Sequence, residues 1–294
     1  MTYGHNLRFA IPSGSLQKRT EETLAQAGYV LPANVGRNDY YGQIGDAEWH
    51  RRDRGTIPYL IASGKFDAGI TGSDLVINSE VCQSSLRVVI DLPYARKTSG
   101  ATRWVLAGRE NALPKQARIG TECMGRARYC LAEYLSEGHT LVKLGGTEES
   151  AVADGLCDAV FVVTETGSSL AAHKLTIIRD KLFVSTPQLL VDSQLPQDKL
   201  ARVEEMGLAL RAVLDGESMV TVTFDLPKCN LKNLVLPAEV SPTVNSTLDL
   251  KWIAGQILIE RRQLGSVLRA LNLAGARGAF MQDVQAYMKG GEAV

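Results

Sequence analysis

Residues 158–170 read DAVFVVTETGSSL, an apolar run that ends in a turn of small polar residues. The segment AVFVV (159–163) is continuous and rich in β-branched side chains, as expected of a parallel strand buried on both faces. Thr166, Gly167, Ser168 and Ser169 follow at its carboxyl end. There, backbone N–H groups and hydroxyls can converge on an anion at the start of the next helix. Asp158 before the strand and Glu165 before the Thr-Gly pair add carboxylates suited to sugar hydroxyls or a metal. The same pattern also serves as a plain capping loop, so this stretch alone leaves both roles open.

Composition narrows the classes. A chain of 294 residues suits about two domains. Lys plus Arg (32) balances Asp plus Glu (32), so no global field draws in nucleic acid or an anionic membrane. An anionic ligand therefore needs a local site. No stretch has the length and apolarity of a signal h-region or a membrane span, which predicts a cytosolic protein without membrane or nucleic-acid partners. Cys82, Cys123, Cys130, Cys157 and Cys229 are odd in number and contain no CxxC pair, which argues for reduced thiols over a disulfide framework or zinc knuckle. His5, His50, His139 and His173 are scattered without HxxxH spacing, giving no support to a histidine metal site or a Ser/His/Asp triad.

Strand and helix patterns alternate along most of the chain. Residues 6–12 predict a strand, with Ser13-Gly14-Ser15 opening a helix that ends at Gly28. A short helix at 57–63, a strand at 66–71 and a helix capped by Gly72-Ser73-Asp74 form a second such unit. Further strands are expected at 86–92, 103–106 and 118–121, with a helix at 125–135. The order implies an α/β fold with a largely parallel sheet. A long amphipathic helix at 197–214 precedes a composition break at 215–217. Beyond it, strand 219–226, helix 228–234, a proline-bearing segment 237–243, strand 252–259, helix 261–273 and strand 278–284 suit a small ferredoxin-like α+β module.

Several segments together resemble the ATP phosphoribosyltransferase family in its long form, which carries a C-terminal regulatory domain. They are LRFAIPSGSL (7–16), GKFDAGITGSDLV (64–76), RIGT (118–121), LGGTEES (144–150), DGLCDAVFVVTETGSSL (154–170), and SPTV (241–244) with Trp252 beyond it. The resemblance implies a two-lobed, periplasmic-binding-protein-like catalytic portion, crossing between lobes near Pro93 and returning near Ser185. Lobe I would comprise residues 1–93 and 185–216, lobe II residues 94–184, and the regulatory domain residues 217–294. It implies transfer of phosphoribosyl from phosphoribosyl pyrophosphate (PRPP) to N1 of ATP, dependent on magnesium (Mg2+). Thr166, Gly167, Ser168, Ser169 and Leu170 would hold PRPP; Arg54, Ser13, Gly14, Thr71 and Gly72 the nucleotide. Asp158, Glu165 and Glu149 would act in catalysis, with Asp158 and Glu165 near the metal. Ser241 and Thr243 would meet histidine as a feedback effector, in a homo-oligomer, dimer or hexamer.

Some positions depart from the family pattern. Ser13 and Ser15 stand where Lys and Arg are common, Thr56 where an aspartate precedes Ile-Pro, Val162 where a second aspartate is usual, and Cys123-Met124 where Tyr-Pro is usual. These changes gather around the expected substrate site. They keep open a paralogue acting on another aromatic nitrogen, or a non-catalytic subunit that binds PRPP or nucleotide. A bilobal solute receptor is the remaining alternative.

Overall fold

The computed structural model describes residues 6–31, 41–44, 47–79, 81–94, 102–146 and 148–288; His5 and Thr147 lie outside them. Among the described residues, eleven strands build the first compact unit, residues 1–207. They are β1 (Leu7–Pro12), β2 (Tyr41–Ile44), β3 (Ala47–Arg52), β4 (Ala68–Gly72), β5 (Leu86–Asp91), β6 (Thr102–Gly108), β7 (Arg118–Thr121), β8 (Thr140–Lys143), β9 (Ala159–Thr164), β10 (Thr176–Ser185) and β11 (Pro187–Asp192). Two sheets result, ordered β2-β3-β1-β4-β11-β5 and β10-β6-β9-β7-β8. The helices are α1 (Gln17–Gln26), α2 (Ile57–Ala62), α3 (Ser73–Asn78), α4 (Met124–Cys130), α5 (Ala132–Ser136), α6 (Glu148–Ala153), α7 (Ser168–Ala172) and α8 (Gln197–Gly216). The chain leaves the first sheet after β5, builds the second, and returns between β10 and β11. Two α/β lobes joined by two crossings are the periplasmic-binding-protein-like arrangement.

The sheets are mixed where a largely parallel one was expected. β1 runs parallel to β3 and β4, and β7 parallel to β8 and β9. β11 is antiparallel to both β4 and β5, and β6 to both β9 and β10. The strands at the crossings come from the other lobe rather than through a helical crossover, so they are free of the parallel direction that a βαβ connection imposes. Each lobe has its own core. In the first, Phe9 stacks on Trp49 with ring centroids 4.5 Å apart; in the second, Trp104 meets Phe161 at 4.9 Å. The helix expected over 125–135 breaks at Leu131, where φ is −112° and the side chain is buried.

The boundary between compact units falls inside α8, between Gly207 and Leu208. In the second unit, β12 (Met219–Pro227), β13 (Thr243–Ser246), β14 (Trp252–Glu260) and β15 (Arg277–Asp283) form an antiparallel sheet ordered β13-β14-β12-β15. Strict alternation buries Val220, Val222, Phe224 and Leu226 on one face, joined there by Ile253, Ile257 and Ile259. Helix α9 (Leu264–Leu273) covers this face with Val267 and Leu271. A capping box between Glu260 and Gln263 starts the turn that leads into it. This is the ferredoxin-like order. The helix expected at 228–234 is a 3-10 turn (Lys228–Asn233) that buries none of its residues, so no apolar face exists to stabilise an α-helix.

Gly255 sits opposite Phe224 in the β12–β14 register, and a Cβ there would run into the phenyl ring. Phe224 is fully packed and has nowhere to move. Gly255→Ala should lower the unfolding free energy of this unit by about 1–3 kcal/mol. Adding Phe224→Leu should return part of that loss, and urea unfolding of the single and double variants measures both effects.

Candidate functional site

A polar cavity of about 370 Å³ opens in the first unit, with walls from both sheets. One wall begins at the carboxyl end of β9. Gly167 adopts φ +78°, a left-handed conformation that turns the chain back toward α7. The Gly167 N–H donates to Thr164 Oγ1 (3.0 Å), the Ser168 N–H to Thr166 Oγ1 (3.4 Å), and the Thr166 hydroxyl to Ser168 Oγ (3.1 Å). Arg103 pins the loop from outside: its Nη1 donates to the Glu165 carbonyl (2.7 Å), while its Nε pairs with Asp180 (2.7 Å). The Ser169 hydroxyl donates to Glu149 Oε1 (2.8 Å), which brings the LGGTEES segment to the same wall. Helix α7 has only five residues. A helix this short adds little dipole, so what the loop can offer an anion is its local N–H and hydroxyl groups.

The opposite wall comes from the first lobe. The Ser13 N–H donates to the Arg52 carbonyl (2.8 Å), Gly14 takes φ +76°, and Ser15 Oγ accepts a hydrogen bond from Arg54 Nη1. The buried Thr71 hydroxyl donates to the Arg54 carbonyl (2.6 Å). A Cβ at Gly72 would meet the Asp74 carboxylate folded back over it, so a side chain there would have to displace that carboxylate. That carboxylate joins the two lobes. It accepts from Ser185 Oγ (2.7 Å), at the end of β10, and from Trp104 Nε1 (3.3 Å), on β6.

Asp74, Glu122, Glu148, Glu149 and Glu165 all line the cavity. Burial, followed by the nearby charge of Glu148, raises the Glu122 carboxyl above its ordinary value; Arg54 acts in the opposite direction. Glu148 is itself buried and accepts the Gly146 N–H (3.2 Å). Burial also raises Cys123 to about 11, so its thiol stays protonated at neutral pH.

The expected site residues are dispersed unevenly. Arg54, Gly72, Glu149, Glu165, Thr166, Ser168 and Ser169 line the cavity. Gly167 shapes the loop without lining it, and Leu170 is buried in the second lobe's core. Ser13, Gly14 and Thr71 are absent from the lining and support it from behind. Asp158 is set apart from Glu165 by the whole of β9, roughly 23 Å at 3.3 Å per residue. It accepts the Arg118 backbone N–H (2.8 Å) and pairs with the Arg118 guanidinium (3.2 Å), which holds its carboxyl below the ordinary value. The expected Asp158–Glu165 metal pair is therefore not brought together. Val162 faces the core and the cavity wall with its side chain buried. Ser241 and Thr243 are exposed in the second unit.

Sequence reading missed Asp74, Trp104, Glu122 and Ser185 as site residues. Asp74 reads as a helix cap from its place in Gly-Ser-Asp, and only the tertiary fold shows it bonded across the lobes.

The fold and cavity define a class: a two-lobed α/β protein with a glycine-turned Thr/Ser loop lining its cleft and an appended ferredoxin-like domain. The sequence profile described as ATP phosphoribosyltransferase matches residues 54–212, and that described as HisG, C-terminal domain matches residues 216–286. The ATP phosphoribosyltransferase of Chlorobium chlorochromatii (strain CaD3) is 30% identical over 292 residues, covering 95% of this chain and 96% of the relative. That of Prosthecochloris aestuarii is 31% identical over 288 residues, covering 93% and 95%. A solved ATP phosphoribosyl transferase (HisG:HisZ) complex from Thermotoga maritima superposes with a TM-score of 0.60 at 25% identity, covering 72% of this chain and 99% of that one. The chain belongs to the ATP phosphoribosyltransferase family, in the long form that carries the C-terminal domain.

Glu122 supplies a pH test. Its folded-state carboxyl titrates above the ordinary 4.5, so ionisation costs stability as pH rises through the folded value, and no cost exists below 4.5. Glu122→Gln should therefore raise the melting temperature at about pH 7.5 and leave it unchanged at about pH 4. Thermal unfolding at the two pH values checks the sign.

Proposed function

We propose that this chain transfers the phosphoribosyl group of PRPP to N1 of ATP, forming phosphoribosyl-ATP and pyrophosphate in the first step of histidine biosynthesis. The observation that carries this reading is the folded TETGSS loop on the wall of a two-lobed cavity, in a chain that aligns over 95% of its length with an ATP phosphoribosyltransferase. The Gly167 and Ser168 N–H groups and the Thr166 hydroxyl, now bonded within residues 164–168, would transfer to the 5′-phosphate of PRPP. Glu149, held by Ser169, and Glu165 would take the ribose hydroxyls. ATP would enter on the Arg54 side.

The chemistry asks for little proton transfer. Adenine N1 carries a free lone pair; it bonds to the anomeric carbon as the bond from that carbon to the pyrophosphate oxygen breaks. Positioning and charge complementarity then supply most of the rate. Carboxylates in the cavity favour the positive charge that develops on the ribose. Among the described residues no group of three or more His, Cys, Asp or Glu forms a metal cage. That suits a magnesium ion held mainly by substrate phosphates with one or two carboxylates, for which Glu165 and Glu149 are the candidates. When bound, it supplies charge neutralisation to the leaving pyrophosphate. Asp158 takes no part in this scheme; it fixes the start of β9 through Arg118.

For the whole protein, we assign residues 1–93 with 185–216 and 94–184 to the two catalytic lobes and 217–294 to the regulatory domain. Histidine would act there near Ser241 and Thr243, in a cytosolic homo-oligomer.

The direct test is magnesium-dependent pyrophosphate release from PRPP, with ATP and without acceptor, and mass spectrometry of the nucleotide product. Phosphoribosyl-ATP is expected. Saturable PRPP binding without that product would overturn ATP as acceptor and leave another nitrogen base or a binding role. A second test concerns the loop. No atom obstructs a Cβ on Gly167, so substitution acts through its left-handed backbone. Gly167→Val should weaken PRPP binding by at least about tenfold in calorimetry, and wild-type affinity would contradict the loop's assignment.

A further inference from the structure

We propose that Ser15 is a positioning residue for the acceptor: its hydroxyl aims the Arg54 guanidinium into the cavity, where that cation holds the anionic part of the nucleotide. The proposal rests on the reading of the chain as a transferase acting on ATP. Among the described residues lining the cavity, Arg54 is the one Lys or Arg, set against Asp74, Glu122, Glu148, Glu149 and Glu165. A polyphosphate entering such a cleft is repelled by most of the wall, and the TETGSS loop is committed to the other substrate. Productive entry then depends on where the Arg54 guanidinium points.

Arg54 is fixed from both ends. The Thr71 hydroxyl donates to its carbonyl at 2.6 Å. Asp53 folds the surrounding turn: its Oδ1 accepts the Gly55 N–H at 2.9 Å, and its carbonyl accepts the Thr56 N–H at 3.0 Å. At the far end of the side chain, Nη1 donates to Ser15 Oγ. Ser15 is in turn held by the left-handed Gly14 and by the Ser13–Arg52 backbone bond, which ties its turn to the end of β3.

One N–H of the guanidinium is spent on Ser15, and the others keep the planar fork that matches phosphate oxygens. Glu122 lies near enough for the Arg54 charge to act on its carboxyl. Without the Ser15 hydroxyl, that carboxylate competes for the guanidinium and draws it from the acceptor's path. A long side chain left to sample its rotamers also loses ordering entropy on binding that a preset one does not.

The test is calorimetric ATP and PRPP binding, with steady-state kinetics, for the wild type, Ser15→Ala, Ser15→Thr, Arg54→Lys and the Ser15→Ala/Arg54→Lys pair. Ser15→Ala should weaken ATP binding on the order of tenfold and raise KM for ATP in proportion. PRPP affinity and kcat at saturation should hold, and Ser15→Thr should restore ATP affinity. Arg54→Lys, which keeps the charge but loses the fork, should cost ATP affinity, and the double variant should lose less than the product of the two single effects. Unchanged ATP affinity in Ser15→Ala, a parallel loss for PRPP, or full additivity in the pair would overturn the proposal. Wild-type protein that binds ATP yet makes no phosphoribosyl-ATP would sink the acceptor reading alone, because the affinity comparison still decides the role of Ser15; wild-type protein that binds no ATP overturns both.

Discussion

One carboxylate at the lobe crossing organises the site. Asp74 begins α3 in the first lobe, yet its oxygens are taken by Ser185 at the end of β10 and by the Trp104 indole on β6. Hydrogen bonds to a charged acceptor are stronger than neutral ones, and these two set the opposing walls in register. The same carboxylate folds back over Gly72, where a side chain would have to displace it. Ser73 reinforces the crossing, since its N–H donates to the Thr186 carbonyl (2.9 Å) and its hydroxyl accepts the Thr186 N–H (3.3 Å).

With the walls fixed, the cavity's groups divide by lobe. The second-lobe wall offers small donors and a glycine turn, with Glu149 and Glu165 beside them. Among the described residues of the first-lobe wall, Arg54 is the one guanidinium, set with Asp74. Val162 lines the cavity and also packs in the apolar cluster with Val105, Val160 and Leu170. A carboxylate at this position would have to be accommodated against that cluster.

Local features were legible in the sequence; convergent ones were not. The β9 strand and the TETGSS turn are encoded within a dozen contiguous residues, and the alternation in β12 and β14 announces a one-sided sheet. Asp158 shows the limit of proximity along the chain: it shares a motif with Glu165, but an extended strand carries the two to opposite ends. Asp74, Trp104 and Ser185 show the converse, since three distant residues meet only after the chain has crossed and returned. The mixed strand directions escaped notice for the same reason, because periodicity reports burial and not direction. At 228–234 the expected helix is a 3-10 turn over Lys228–Asn233 with no buried residue, so it lacks the packed face that would stabilise an α-helix.

Asp74 bonds the walls of the cleft to one another, so turnover should depend on it far more than binding at either wall does. The deciding measurement is phosphoribosyl-ATP formation by Asp74→Ala, with PRPP affinity determined on the same protein. PRPP binding should persist, because the loop lies wholly in the second lobe, while turnover should fall by about a hundredfold or more through misplacement of the two substrates. Turnover at the wild-type rate would contradict the account.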